Sequence, residues 1–280
     1  MAQRLAVVTV TYSPGEHLEH FLSSLDAATT QRPLVVLADN GSTDGAPEAA
    51  AERYAHVQLL RTGGNIGYGA AANRGVAELP ADVDWVLVAN PDVEFLPGSV
   101  DELLAAAGRW PRAAALGPLI REPDGSVYPS AREVPKLIAG SGHALLAGVW
   151  PGNPWSRQYR RPETEPGERD AGWLSGSCLL LRRSVFESVG GFDSRYFMYF
   201  EDVDLGDRLG RAGWRNVYVT SAEVTHAQGH AADRSPKKML AAHHESAYRF
   251  QAGRHPQRYA APLRAGLKVA LLVRKRWVSR

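Results

Sequence analysis

The first hundred residues alternate between apolar runs of strand length and amphipathic segments of helix length. Four runs rich in β-branched residues, Leu5–Thr11, Leu34–Asp39, Val57–Arg61 and Trp85–Ala89, are separated by helical patterns. A helix between two consecutive strands acts as a crossover connection, which makes the strands parallel neighbours in one sheet. The alternation therefore predicts an α/β fold with a mostly parallel central sheet flanked by helices.

Polar or glycine residues follow each of these four strands. In parallel α/β sheets, ligands bind beyond the carboxyl ends of the strands. The segments found there are Thr11-Tyr12, Asp39-Asn40-Gly41-Ser42, Gly63-Gly64-Asn65 and Asn90-Pro91-Asp92. Their shared position predicts a binding site at this edge of the sheet.

Each of these segments has a structural and a functional interpretation. Asp39 is either a turn residue or a carboxylate that accepts a hydrogen bond from a nucleobase ring N–H. The stretch GGNIGYGAAANRG (63–75) is either a packing turn or a diphosphate-binding loop before a helix. It lacks the Lys-Ser/Thr ending of a Walker loop and follows the third strand, which argues against an ATPase and a dinucleotide fold. Asp92 is either a turn residue or a ligand of Mg²⁺ or Mn²⁺. Asn90 stands two residues before it, in place of a first acidic ligand, so the ion would need another ligand.

Four carboxylates follow an aromatic run in YFMYFEDVDLGDRL (196–209). Asp204 and Asp207 each have an arginine four residues later, so we expect helical ion pairs there. Glu201 and Asp202 have no such partner and stand where a helix is predicted to begin. Desolvation by the neighbouring rings would raise a carboxyl pKa and suit it to general-base catalysis.

Two further residues have chemistry that a metal site could use. His226, in VTHAQGH, follows a predicted strand; a lone histidine is usually structural, but imidazole suits Mn²⁺ and related ions. Cys178 is the only cysteine and lies in an apolar run, which excludes a disulfide framework and a cysteine-based zinc site.

Charge is distributed unevenly along the chain. The formal net charge is +2, yet residues 246–280 carry nine Lys or Arg and no acid, which leaves 23 basic against 30 acidic residues elsewhere. An acidic body of this kind offers no broad cationic face for nucleic acid. The basic, apolar tail predicts either a helix on an anionic membrane surface or a packing helix, for example at a subunit interface of a homo-oligomer.

The second half of the chain loses the strand–helix rhythm. We predict a hairpin around Asp124-Gly125, a buried strand over Trp173–Leu181, a strand near Asn216–Thr220 and a helix from Lys237 to the end. Residues 151–170, rich in proline, are predicted to be a mobile loop. Two parts are expected: a domain over residues 1–232 and a basic helical extension over 233–280.

No apolar run reaches the length of a membrane-spanning helix, and the first residues lack the pattern of a signal peptide. A cytoplasmic location is expected, with peripheral attachment to the inner face of the plasma membrane if the tail binds lipid.

The ordered set of motifs resembles the family 2 glycosyltransferases, which have the GT-A fold, and within them the bacterial rhamnosyltransferases. The matching stretches, over roughly residues 4–230, are TVTYSPGEHLEHFLSSL, DNGSTDG, GGNIGYGAAANRG, NPDV, WLSGSCLLLRR and GGFDSRYFMYFEDVDLGDRLGRAGW. The resemblance implies an inverting enzyme that uses a divalent cation and a nucleotide-sugar donor. It further implies transfer of L-rhamnose from dTDP-rhamnose to a lipid-linked acceptor, GlcNAc-diphosphoryl-polyprenol, in cell-wall linker synthesis.

The resemblance also implies a role for each matched position. Asp202 corresponds to the general base, with Glu201 beside it, and Asp92 and His226 to the metal ligands. The positions implied to contact the donor and acceptor are Thr11, Tyr12, Asp39, Asn65, Gly67, Asn73, Asn90, Asp92 and Trp173 to Gly176. Many relatives have Asp in place of Asn90, which puts a strict metal requirement in question. Arg157, Arg160 and Arg161 are additional candidates for the acceptor diphosphate.

Three alternatives stay open on the sequence. A related glycosyltransferase with another nucleotide-sugar or a polysaccharide acceptor fits the same motifs, since thymine and uracil present the same ring N–H. A sugar nucleotidyltransferase should carry a basic, glycine-rich signature after the first strand, and TYSPGEH has no Arg or Lys. A non-catalytic carbohydrate-binding scaffold would not need Asp92, Asp202 and His226 together.

Overall fold

The computed structural model describes residues 4–135, 167–227 and 236–278. The strands are β1 (Leu5–Thr11), β2 (Leu34–Asp39), β3 (Val57–Arg61), β4 (Trp85–Ala89), β5 (Val93–Phe95), β6 (Ala113–Arg121), β7 (Val127–Tyr128), β8 (Ala131–Arg132), β9 (Arg169–Ala171), β10 (Trp173–Leu174), β11 (Cys178–Arg182) and β12 (Arg215–His226). The helices are α1 (His17–Ala28), α2 (Ala46–Arg53), α3 (Tyr68–Ala77), α4 (Ser99–Arg109), α5 (Arg183–Ser188), α6 (Glu201–Arg211), α7 (Pro236–Arg254) and α8 (Ala261–Val278), with a 3₁₀ turn at Arg258–Ala260.

One twisted sheet organises the molecule, with strand order β3-β2-β1-β4-β11-β6-β12-β5. Strands β1 to β4 are mutually parallel where they pair, as are β6 and β12. Strand β11 runs antiparallel between β4 and β6, and β5 runs antiparallel at the edge. The predicted α/β class with a mostly parallel sheet is confirmed, and the four predicted N-terminal strands have the predicted bounds.

Two layers of helices cover the sheet. Alternate strand residues such as Val7 and Leu37 pack against α1, α2 and α4 on one face. The intervening residues, such as Val8 and Val36, pack against α3, α5 and α6 on the other face. Because both faces of β1, β2 and β4 are covered, these strands are almost wholly apolar up to their last residue, whereas the edge strand β3 has exposed polar positions.

The chain after β4 departs from the predictions in three places. The predicted strand Trp173–Leu181 is two strands, β10 and β11, because the chain turns at Ser175–Ser177 to pass between two sheets. Strand β12 is longer than predicted and includes His226. The predicted terminal helix is broken between α7 and α8, where Pro256 lacks an N–H and restricts the residue before it.

The hairpin around Asp124-Gly125 is confirmed, since β6 and β7 pair antiparallel and Gly125 has φ of 84°. Of the predicted loop 151–170, residues 151–166 lie outside the described residues. Its end is not a loop: Arg169 and Asp170 belong to β9, which pairs with β12. The predicted domain boundary at 232 also lies outside the described residues.

Helix α7 packs against the loop that precedes α6. The Ser246 hydroxyl donates to the Met198 carbonyl oxygen at 3.0 Å, and Arg254 pairs with Asp207 of α6 at 3.1 Å. Phe250 is buried in a cluster with Tyr196 and Val203. Among the helices of the described residues, none carries an apolar stretch long enough to cross a bilayer.

Candidate functional site

A cavity of about 330 Å³ opens at the carboxyl edge of the sheet. Five sequence-distant segments contribute to its wall: Tyr12 after β1, Asp92 after β4, Gly176 between β10 and β11, Asp202 in the first turn of α6 and His226 at the end of β12. Asn65, Asn90 and Glu201 also line it. The convergence predicted from the strand ends is present in the structure.

Asp202 is held from two directions. The Gly176 N–H donates to Oδ2 at 2.9 Å, and the Val203 N–H donates to Oδ1 at 2.8 Å. Burial raises the pKa of Asp202, although these backbone N–H groups act in the opposite direction. The result is a carboxylate with a fixed orientation and raised basicity beside the cavity, as expected for a general base.

Glu201 lies beside Asp202 and is 8% exposed. Within the described part of the chain, its Oε2 has no hydrogen-bond partner. Burial, together with the charge of Asp202, raises the pKa of Glu201 to about 8. A buried and a partly buried carboxyl group side by side cannot both ionise easily, so the pair retains a proton at neutral pH, and the raised pKa of Glu201 places that proton on Glu201.

The backbone before α6 is strained. Tyr199 and Phe200 have φ of 67° and 68°, a left-handed conformation that side chains with a Cβ rarely adopt. The ring of His243 on α7 contacts both, with centroid distances of 5.5 and 5.4 Å. Helix α7 therefore packs directly on the turn that delivers Glu201 and Asp202.

Asp204 and Asp207 have the structural role that their spacing predicts. Asp204 pairs with Arg208 at 2.7 Å and Asp207 with Arg211 at 3.2 Å, both within α6. Of the four carboxylates in residues 196–209, Asp204 and Asp207 thus stabilise the helix, whereas Glu201 and Asp202 line the cavity.

Asp92 and His226 are in direct contact, with His226 Nε2 3.0 Å from Asp92 Oδ1. Asn90 Nδ2 lies 3.3 Å from the same ring nitrogen. Burial would raise the pKa of Asp92, but the hydrogen bond and charge of His226 outweigh it, so the pKa is lowered. A carboxylate oxygen beside an imidazole nitrogen fits a divalent cation that takes its remaining ligands from phosphate and water. No cluster of three or more metal-ligating side chains occurs among the described residues.

Asp39 lies behind the cavity wall and is 2% exposed. Its Oδ1 accepts hydrogen bonds from the Thr11 hydroxyl at 2.9 Å and the Ser42 N–H at 3.1 Å. These bonds tie the ends of β1 and β2 together and fix the backbone of the DNGS turn.

The remaining predicted site residues either lie around the cavity without lining it or fall outside the described residues. Gly67 precedes α3 with φ of 90°, and a Cβ there would come within 2.5 Å of the Phe197 carbonyl oxygen. Asn73 bridges to the backbone of Phe192, as donor at 2.7 Å and acceptor at 2.9 Å. Trp173 donates from its indole to the Glu133 carbonyl. Thr11, Asp39, Gly67, Asn73 and Trp173 support the cavity without lining it, and Arg157, Arg160 and Arg161 lie outside the described residues.

Tyr68 is a lining residue that the sequence analysis did not single out. Its hydroxyl donates to the Gly176 carbonyl oxygen at 2.7 Å, and its N–H donates to the Phe197 carbonyl at 3.1 Å. It thereby connects the glycine-rich loop to both segments that position Asp202. The one sequence feature that points to Tyr68 as a site residue is its location inside the glycine-rich stretch GGNIGYGAAANRG.

Comparisons with known proteins agree with this architecture. Residues 6–190 match the glycosyl transferase family 2 model, and residues 156–243 match the glycosyltransferase like family 2 model. The chain is 60% identical over 289 residues to the N-acetylglucosaminyl-diphospho-decaprenol L-rhamnosyltransferase of Mycobacterium tuberculosis, covering 100% of this chain and 94% of that protein. It is 26% identical to a rhamnosyltransferase of Escherichia coli, covering 88% of this chain and 92% of the relative.

A solved structure supports the fold independently. A mannosyltransferase of Pyrobaculum calidifontis in complex with GDP-Man and Mn²⁺ superposes with a TM-score of 0.59 at 17% identity. The match covers 99% of this chain and 72% of that chain.

The carboxyl pair predicts a specific pH dependence of stability. Because the pKa of folded Glu201, about 8, exceeds its ordinary value of 4.5, the folded state binds the proton more tightly, and stability falls as pH rises between these values. Glu201→Gln removes this loss, so we expect the variant to be more stable than the wild type above pH 8, by on the order of 2–4 kcal/mol in unfolding free energy.

Denaturant unfolding across pH 5 to 9 measures the difference. Glu78→Gln, at an exposed position at the end of α3, is the matched control and should show no such trend. A difference between Glu201→Gln and wild type that does not grow with pH would contradict the assignment.

Proposed function

The chain belongs to glycosyl transferase family 2, and we propose that it transfers L-rhamnose from dTDP-rhamnose to GlcNAc-diphosphoryl-polyprenol with inversion at the anomeric carbon. The activity named for the 60% identical relative supports the acceptor class and the sugar. The observation that carries the proposal is the partly buried, oriented Asp202 in the same cavity wall as Asp92 and His226.

The reaction is a single displacement. The acceptor hydroxyl oxygen forms a bond to the anomeric carbon while the bond from that carbon to the dTDP oxygen breaks. Asp202 takes the hydroxyl proton, and dTDP leaves with the electron pair. The raised pKa of Asp202 brings its basicity closer to working pH, which favours general-base catalysis. Glu201, protonated beside it, avoids a second negative charge near the departing diphosphate.

The donor is assigned to the side of the cavity formed by β1, β4 and α3. Tyr12 and Asn65 line it there, and Asp39 fixes the turn behind them. Asp39 is 2% exposed and does not line the cavity, so its contribution to donor binding is this fixed turn and not a direct hydrogen bond to the base. The N-terminus of α3, after Gly67, favours the diphosphate.

Asp92 and His226 would hold a divalent cation, which would supply charge stabilisation for the leaving diphosphate. The Asn90 amide nitrogen faces His226 Nε2 in the structure, so a rotation of this amide would add its oxygen to the donor set. The Mn²⁺ complex of the structural neighbour supports the type of ion without identifying it here.

The tail is proposed to hold the enzyme on the inner face of the plasma membrane. Tyr259, Leu263 and Val269 are exposed apolar side chains near basic residues of α8. An anionic bilayer attracts such a segment, and a polyprenyl acceptor would be presented at the same surface.

Asp202→Asn is expected to lower kcat by about 10²–10⁴-fold or more while dTDP binding stays within a few-fold of wild type. Both Asp202 oxygens accept hydrogen bonds from backbone N–H groups, so the NH₂ group of the new asparagine must face one of these donors. The melting temperature of the variant is therefore measured in parallel, to separate a loss of stability from a loss of catalysis. Asp204→Asn, two residues later on the same helix, is the control and should retain activity. Lost dTDP binding with unchanged kcat would reassign Asp202 to the donor site.

Removal of divalent cations with EDTA is expected to abolish transfer, and added Mn²⁺ or Mg²⁺ to restore it. Asn90→Asp adds a carboxylate beside Asp92 and should lower the Mn²⁺ concentration needed for half-maximal rate about tenfold. Full activity in EDTA would rule out the metal assignment.

Replacing Arg274, Lys275 and Arg276 with Gln is expected to weaken binding to anionic vesicles roughly a hundredfold, at about 1 kcal/mol for each charge. Vesicle flotation measures binding, and neutral vesicles serve as the control. Unchanged flotation with anionic vesicles would favour the packing-helix interpretation of the tail.

A further inference from the structure

The cavity lining is acidic, which is unfavourable for negatively charged substrates. Asp92, Glu201 and Asp202 all line it, whereas no Lys or Arg occurs among its lining residues in the described part of the chain. The proposed donor and acceptor both carry a diphosphate. A cation at Asp92 and His226 would serve the donor, but the acceptor diphosphate needs a second source of positive charge.

Arg132 stands at the margin of this cavity. It belongs to β8 and pairs across a two-stranded sheet with Trp173 of β10. Its guanidinium carbon lies 5.7 Å from the ring centroid of Tyr128 and 5.9 Å from that of Trp173. Tyr128 itself lines the cavity, so the guanidinium is held by aromatic rings next to it.

Toward the described residues, the Arg132 guanidinium makes a single hydrogen bond. Its Nε donates to the Pro129 carbonyl at 2.8 Å, which fixes the plane of the group. In the described part of the chain, no carboxylate pairs with it. Other arginines near strand ends are paired, for example Arg121 with Glu223.

The side chain is close enough to the catalytic carboxylate for its charge to be felt there. Burial is the main influence on the pKa of Asp202 and raises it, but the positive charge of Arg132 acts to lower it. The chain also leads directly from Trp173 to Gly176, whose N–H binds Asp202. Arg132 is therefore on the side of the base, where the acceptor hydroxyl must lie, and the proposed donor ligands are on other segments.

We propose that Arg132 binds the diphosphate of the acceptor, with Tyr128 and Trp173 holding its guanidinium in place. This inference rests on the proposed function and assigns its acceptor subsite. A planar guanidinium presents paired N–H donors that match two phosphate oxygens, which lysine cannot do in the same geometry.

The test compares two acceptors with dTDP-rhamnose as donor: GlcNAc-diphosphoryl-polyprenol in detergent, and an alkyl GlcNAc glycoside without phosphate. Arg132→Gln is expected to lower kcat/KM about 10- to 100-fold for the diphosphate acceptor, mainly through KM, and less than threefold for the neutral one. Arg132→Lys should fall between. Arg61→Gln, an exposed arginine on the edge strand β3, is the control and should change neither.

Each other outcome has a definite meaning. An equal loss with both acceptors would overturn the inference, because Arg132 would then act on Asp202 or on folding alone. Unchanged kcat/KM with both, or a wild type that does not prefer the diphosphate acceptor, would overturn it while leaving rhamnosyl transfer intact. Wild-type protein that transfers to neither acceptor would overturn the proposed function itself.

Discussion

The placement of two adjacent carboxyl groups, Glu201 buried and Asp202 partly buried, is the constraint on which the site depends. Glu201 and Asp202 begin α6 inside the protein, where an unpaired charge is costly. The fold offsets that cost with N–H donors from Gly176 and Val203 and by keeping Glu201 protonated. Gly176 also has to be small, because a Cβ there would lie 3.3 Å from the Asp202 Cβ. The turn between β10 and β11 thus supplies a backbone donor to the first turn of α6 and packs closely against it.

The N-terminal half was predictable because its strands are covered on both faces. Such strands are continuous apolar runs, and the first polar residue marks both the end of the strand and the start of the site. After β6 this signal fails. Residues 173 to 181 are predicted as one buried strand, yet the chain turns at Ser175–Ser177, and the Ser175 N–H donates to the carbonyl oxygen of Ser130, 45 residues away along the chain. Secondary structure fixed by distant partners is not visible in local periodicity.

The same distinction applies to the site residues. Asp92, Asp202 and His226 were predicted because each stands at the end of an element with its own sequence signature. Arg132 has no such signal, since its significance depends on contacts with two aromatic rings. Tyr68 has only its place in the glycine-rich motif, because its hydrogen bond to the Gly176 carbonyl depends on a residue far away in the chain. Asn73 was assigned to a ligand on the motif alone, although its amide is bonded to the Phe192 backbone.

The packing of α7 on the strained turn at Tyr199 and Phe200 has a consequence for biosynthesis. Domains begin to fold from the N-terminus while the ribosome is still adding residues. The sheet and α1 to α6 can assemble at that stage, but the rings of His243 and Phe250 are not yet there to cover the turn. A chain synthesised only as far as α6 therefore lacks the rings that cover this turn, so the packing around the carboxyl pair is complete only once α7 has been added.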